Sequence, residues 1–273
     1  MRIVLTTCTV VAALAVPACL TAQDNNAPPK WMTIQREVVK PGKEPAHMRL
    51  ETEWSRALEA AKFPVPLLGL TSMSGANEVW FLQGFAAAAD MQKVSETMAA
   101  NPAMAAVDQK YRPMESDLLA NQFTMIARLR DDLSYTSDAP LPSMRYMTVQ
   151  RISVKIGHGP EFEDARKIMK AGHEKIRAAD GYAVYQVTMG APAGTFLVMA
   201  AKKGMADFDT DPHAEPYAAA IGGPDGQKKL RDMSMSYENT ADTQLFAVNP
   251  TISTMGQVWG DADAYWKPKA TKK

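Results

Sequence analysis

The sequence predicts an α+β protein built from two tandem copies of one β-α-β-β-α-β module, and three observations carry that prediction. The first is an internal repeat. Trp31-Met-Thr-Ile-Gln-Arg-Glu-Val-Val-Lys-Pro-Gly-Lys43 and Tyr146-Met-Thr-Val-Gln-Arg-Ile-Ser-Val-Lys-Ile-Gly-His158 share seven of thirteen positions, with Trp/Tyr and Ile/Val as conservative swaps. The second is periodicity: each repeat runs from a β-branched and aromatic stretch, through a Lys-x-Gly turn, into a three- and four-residue apolar spacing. The third is punctuation, because the apolar runs that follow are separated by short turn-forming segments at matching places in the two copies.

In copy one the first strand spans Trp31 to Val39. The helix after it carries Leu50, Trp54, Leu58 and Ala61 on one face. Two β-type runs follow, Val65 to Thr71 and Glu78 to Gly84, joined through Ser74-Gly75-Ala76-Asn77. A second helical region is predicted over about Ala87 to Leu119, and a closing strand over Gln122 to Leu129. Copy two repeats the order. Its first helix places Phe162, Ala165, Met169, His173 and Ile176 on one face and has Pro160 in its first turn. The two runs are Tyr182 to Met189 and Thr195 to Ala201, separated by Gly190-Ala191-Pro192-Ala193-Gly194. A helical region over about Met205 to Tyr237 and a strand over Thr243 to Val248 complete it. The polar, proline-containing stretch Thr136 to Ser143 reads as a linker. The predicted organisation is therefore a leader at 1–22, modules at 30–135 and 146–253 joined by 136–145, and a tail at 254–273.

Met1-Arg2, an apolar run from Ile3 to Val16 and small residues ending at Ala22 read as a secretory signal peptide cut after Ala22. The run is too short to span a bilayer as a helix. A second cut stays open, since Val16-Pro17-Ala18-Cys19 resembles a lipoprotein box that would lipidate Cys19. Export to the periplasm or the extracellular space follows from either. Both cysteines, Cys8 and Cys19, lie in this leader, so a cut after Ala22 leaves a mature chain without thiols. A chain of 273 residues with 46% hydrophobic content has enough apolar material for one or two cores without staples. The 30 basic and 30 acidic residues balance, which argues against nucleic acid as a partner. The basic end, Lys267, Lys269, Lys272 and Lys273, reads as a solvated terminus.

The order β-α-β-β-α-β is the ferredoxin-like split β-α-β arrangement. A lone sheet of this kind leaves one face bare, and two copies in one chain can bury those faces against each other. On that order, and on Val39-Lys40-Pro41-Gly42-Lys43 and Val154-Lys155-Ile156-Gly157-His158 as strand-to-helix turns, the sequence resembles the dimeric α/β-barrel superfamily over residues 31–250. Its monooxygenase-like and NIPSNAP-like members are the nearest in pattern. The resemblance implies an intramolecular barrel and a small apolar ligand. It implies no cofactor, with haem left open by haem-binding, chlorite-dismutase-like relatives. Haem-degrading relatives use an Asn, a Trp and a His. Here Trp80 sits on a suitable strand but the helix Asp90 to Ala100 has no histidine, while in copy two His213 lies in a comparable region but Phe196 replaces the tryptophan. That activity is not carried over.

No phosphate-cradling loop, nucleophile elbow, dinucleotide fingerprint or metal-ligand set is recognised. His173-Glu174-Lys-Ile-Arg177 misses a zinc-protease motif, because an arginine replaces the second histidine. His173 itself is the candidate catalytic residue: it takes the place of Leu58 on the sheet-facing stripe, where a titratable group could act as a general base. The alternative is a boundary histidine satisfied by a neighbour. Asp207-Phe-Asp209-Thr-Asp211-Pro-His213-Ala-Glu215 alternates oxygen donors but has Pro212 where a calcium loop needs glycine, so it reads as a helix start. Gln35/Gln150 and Arg36/Arg151 recur on the first strands, one of each pair facing the barrel and the other the helices. A buried arginine needs a carboxylate or a ligand anion, and structural pairing across the two modules is the expectation. Arg36, Arg151, Gln150, Trp80 and Tyr185 are the candidate ligand-binding residues. Trp31 and Tyr146 are further aromatic wall candidates. The 18 methionines, Met32 and Met147 among them, are scattered and read as core filling.

Two functions from different classes fit this sequence. One is an exported binding protein with a small apolar cavity in each half and oxygenase-like chemistry on an aromatic or quinone-like compound. Copy two is its favoured half, because it holds His158, His173 and His213 against His47 alone. The other is a non-catalytic envelope or assembly protein, whose C-terminal Trp259, Tyr265 and Trp266 dock on a partner or on the barrel itself.

Overall fold

The computed structural model describes residues 27–209 and 213–267. The proposed leader, Asp211-Pro212 and the last lysines lie outside the described residues. In the first half β1 (Trp31–Val39), α1 (Glu44–Ala60), β2 (Leu67–Ser72), β3 (Glu78–Phe85), α2 (Ala88–Ala100), α3 (Pro102–Glu115) and β4 (Leu119–Leu129) follow in order. In the second half β5 (Tyr146–Val154), α4 (Gly159–Ile176), β6 (Ala183–Met189), β7 (Thr195–Lys202), α5 (Ala214–Ala220), α6 (Gly223–Tyr237) and β8 (Glu238–Val248) repeat that order, and a single-turn α7 (Gly256–Trp259) follows. All neighbouring strands are antiparallel and close into one eight-stranded barrel, β1-β3-β2-β8-β5-β7-β6-β4.

Closure depends on the length of the last strands. β4 and β8 each have 11 residues, and their C-terminal parts reach past their own sheet. Ile126 to Leu129 pair with β6, and Phe246 to Val248 pair with β2, so each module zips the other's open edge. Side chains alternate as the strand period requires. Met32, Ile34, Leu70, Trp80, Leu82, Val149, Leu197 and Phe246 point inward and form the central core. Outward residues meet the helices: Ile152, Val184 and Phe196 pack under Phe162 of α4 and Leu230 and Tyr237 of α6.

The strand-to-helix turn is legible in one residue type. Gly42 and Gly157 have φ of +79° and +88°, a region other residues rarely adopt, and each turn releases a helix with proline in its first turn. Each second helical region consists of more than one helix. Asn101 is extended because Pro102 follows it, and its side chain accepts from Ala103 N at 3.0 Å to cap α3. In the second half Gly222, at φ +104°, separates α5 from α6.

One asymmetry governs the tail. The repeat offset that relates Trp31 to Tyr146 matches Gly69 of β2 with Val184 of β6, which is fully buried under α4. At Gly69 the missing side chain admits Ile252: a Cβ there would lie 2.5 Å from Ile252 Cγ1. The segment is tied down by Ser55 Oγ donating to Ile252 O (2.9 Å), Gly69 N to Ser253 Oγ (2.9 Å) and Leu67 N to Thr254 Oγ1 (2.8 Å). Gly69→Ala is therefore expected to destabilise the protein by about 1–3 kcal/mol through overpacking. Urea unfolding measures it, and an unchanged midpoint would show that Ile252 moves aside freely.

Candidate functional site

The middle of the barrel is plugged. Ile34, Leu70, Leu197 and Phe246 are wholly inaccessible, and Trp80 packs on Phe246 with ring centroids 5.1 Å apart. One end remains open inside and encloses a cavity of about 760 Å³. Its floor is Met32, Leu68, Leu82, Met147, Tyr185 and Met199, contributed by both halves. β1 and β5 are separated by four antiparallel steps and so run the same way, which brings their first inward residues, Met32 and Met147, to the same end. The roof comes from three connecting segments: Ala27 to Pro29 before β1, residues of the linker between Tyr135 and Met144, and Met255 to Trp259 after β8.

The roof is built by specific contacts. Tyr185 Oη donates to Pro29 O at 2.9 Å and Tyr265 Oη to Val248 O at 2.5 Å. Trp266 Nε1 donates to Pro142 O at 2.7 Å, and Arg145 pairs with Asp263 at 2.5 Å while lying over the Tyr265 ring. Trp259 and Trp266 meet edge to face at 4.8 Å and are both buried. The C-terminal aromatic residues thus dock on the chain's own barrel. Polar side chains also line the cavity, Asp90, Ser137, Lys203 and Gln257 among them, and Lys202 pairs with Asp180 at 2.5 Å. Within the wall, Trp259 has a buried indole N–H without a hydrogen-bond partner.

Of the candidate ligand-binding residues, only Tyr185 lines this cavity; Trp31 and Tyr146 do not. Burial pushes the Tyr185 phenol above its usual range. Arg36 and Arg151 lie four residues further along β1 and β5 than the two methionines, roughly 13 Å away at the opposite end. Each is paired within its own module and not across the two. Arg36 Nη2 meets Glu78 Oε1 at 2.7 Å, and Arg151 Nε meets Asp242 Oδ1 at 3.0 Å. Trp80 faces the barrel but spends its indole on Glu78 Oε2 at 2.5 Å and serves as plug. Gln150 faces outward, where it accepts from Arg166 Nη2 at 3.2 Å.

His173 does not line the cavity. Its Nδ1 donates to Met169 O at 2.8 Å, and its ring sits among Tyr135, Tyr182 and Tyr217 at centroid distances of 5.5, 5.1 and 4.7 Å. It is a boundary histidine that backs two wall tyrosines. The sequence led to the expectation of one cavity in each half; this cavity is lined by residues of both halves. Methionines expected only as core filling line this cavity, Met32, Met144, Met147, Met199 and Met255 among them. The recurrence of Met32 and Met147 at one place in the repeat carries that signal in the sequence. Among the described residues no imidazole or thiolate lines the wall, Tyr185 is committed to Pro29, and the axial-ligand types present are methionine sulfurs and the Tyr135 and Tyr182 phenols.

No protein-family model and no curated protein sequence matches the chain. Solved structures do share its fold. A candidate monooxygenase from Fusobacterium nucleatum subsp. nucleatum aligns with a TM-score of 0.53 at 9% identity, over 80% of this chain and 91% of that one. An anthrone oxidase-like protein aligns with a TM-score of 0.52 at 12% identity, over 81% and 92%. At such identities the likeness concerns the fold, which is that of the dimeric α/β barrels with both halves in one chain.

Proposed function

We propose that this chain is an exported small-molecule-binding protein whose ligand, an apolar aromatic or quinone-like compound, occupies the methionine-lined end of the barrel. The observation that carries this reading is the cavity itself, an apolar space of about 760 Å³ in a barrel that is otherwise filled. Methionines adapt their three torsions to a planar or irregular guest at little cost. Export rests on the N-terminal charge, apolar run and small-residue cut site, and no described helix is long and apolar enough to cross a membrane.

Native mass spectrometry of the mature protein from its own cell envelope, with an absorption spectrum, tests the reading. A co-purifying apolar compound supports it, and a clean apo mass across preparations sinks it. With the compound in hand, Met147→Trp is expected to weaken binding at least about tenfold by filling the floor, measured by calorimetry. His173→Leu should leave the affinity within about twofold, since an imidazole outside the wall makes no ligand contact; a large loss would return His173 to the site. Oxygenase-like turnover is the finer form of this proposal. It is motivated by the names of the two proteins that share the fold and is tested by oxygen uptake with the bound compound.

A further inference from the structure

Behind β1, on the face turned away from the cavity, three ionisable side chains are buried together. Glu37 comes from the outward face of β1, and His47 and Glu51 stand one turn apart on α1, on its sheet-facing stripe. His47 Nε2 lies 2.8 Å from Glu37 Oε2 and 3.6 Å from Glu51 Oε1. One ligand atom from each falls within 4.8 Å of the others, and no member is more than 1% exposed. Both oxygens of Glu51 lack a hydrogen-bond partner.

The fold does not require this cluster. At the offset that relates Trp31 to Tyr146, the second half has Ile152, Phe162 and Arg166 in these places. Ile152 and Phe162 pack the same strand-to-helix junction as apolar core. An apolar pair is generally no worse for stability than buried ions, and a buried polar group without a hydrogen-bond partner costs about 2–7 kcal/mol even when neutral. A polar cluster kept under such a penalty calls for a counter-charge.

We propose that Glu37, His47 and Glu51 form a site for one divalent transition-metal cation of the zinc or manganese class, with the imidazole and the two carboxylates as ligands. Nitrogen and oxygen donors in this number suit those ions, and no thiolate is present to favour softer ones. The surroundings are arranged as a supporting shell. Glu37 Oε1 accepts from Gln35 Nε2 at 2.5 Å and Gln122 Nε2 at 3.3 Å, which fixes the carboxylate with Oε2 turned to His47 Nε2, the hydrogen bond that an ion would replace. Glu115 of α3 is near enough to interact electrostatically with Glu37 and Glu51. Burial and its acidic neighbours Glu37 and Asp108 push the Glu115 carboxyl up to about 7, while Arg112 and Gln122 pull it down. No solvent path is open to these side chains, so the ion enters as the chain folds and ties α1 to β1.

The test uses the full mature chain, unfolded with chelator and refolded alone, with Zn²⁺, or with Mn²⁺. Ion content after desalting is read by native mass spectrometry, and the melting temperature by calorimetry. One ion per chain is expected with at least one cation, together with a melting temperature raised by more than about 5 °C. Glu51→Gln keeps the shape and is expected to bind at least about tenfold more weakly. The double variant Glu37→Ile/His47→Phe copies the second half's apolar pair and is expected to stay folded without an ion. Failure of the wild-type chain to retain either cation overturns the proposal. So does equal retention by Glu51→Gln and the double variant, which would place the ion elsewhere.

Discussion

Deleting residues 255–273 is expected to remove about 6–10 kcal/mol of stability, enough to leave the remaining chain largely unfolded. The reason is that this stretch belongs to the barrel's core. Met255, Trp259 and Trp266 are each less than 9% exposed and join the same cluster as Met32, Tyr185 and Phe246. Loss of one buried tryptophan typically costs about 3–5 kcal/mol, and two are lost here with a methionine besides. The Trp266 bond to Pro142 and the Arg145–Asp263 pair go too, leaving the linker without its anchor. Denaturant unfolding of the truncated and full chains measures the difference. An equal midpoint would mean that the tail is an ornament on a self-sufficient barrel. Trp266→Phe, which keeps most of the area but loses the N–H, should cost only about 1–2 kcal/mol.

Without a bound ion, the protein is expected to lose stability as pH rises from 5 to 8. Glu51 is pushed up from 4.5 to about 10, by burial first and then by Glu37 and Glu115. Glu115 is raised in the same direction, to about 7. Both hold their protons more tightly folded than unfolded. The stability they contribute is therefore fully present below about pH 4.5 and is lost as pH climbs through the folded values. Glu51 alone can give a slope on the order of 1 kcal/mol per pH unit. The ionisable groups around it are Glu37 of β1, His47 of α1 and Glu115 of α3, and Gln35 and Gln122 hold Glu37 in turn. Melting temperatures in chelator between pH 5 and 8 decide the matter. Glu51→Gln, which cannot ionise, should flatten most of the slope. A wild-type profile that is level, or a parallel one in the variant, would show that Glu51 ionises without cost.

Much of the barrel was legible because its determinants are local. The Lys-x-Gly turns at Gly42 and Gly157, the prolines in the first turns of α1 and α4, and the alternation along Trp31–Val39 and Tyr146–Val154 are properties of adjacent residues. The breaks at Pro102 and Gly222 inside the second helical regions are equally local. The ligand-binding residues were chosen by residue type, arginine and tryptophan, when position along the strand mattered more. The cluster at Glu37, His47 and Glu51 had a signal as well: setting the two repeats side by side puts each polar residue against Ile152, Phe162 or Arg166. Counting histidines per half pointed the other way, toward His173.

By itself, then, the sequence determined the two modules, the order of their elements and the inward and outward faces of the first strands, since these follow from propensity, turn chemistry and period. The tertiary structure decided which end of the barrel stays hollow, that one cavity serves both halves, and that the C-terminal segment closes it through the gap left at Gly69. It also decided that three ionisable side chains from β1 and α1 meet out of water. Those outcomes rest on strand pairing and packing between residues as far apart as Gly69 and Ile252, or Pro142 and Trp266, and no local pattern encodes which distant surfaces will touch.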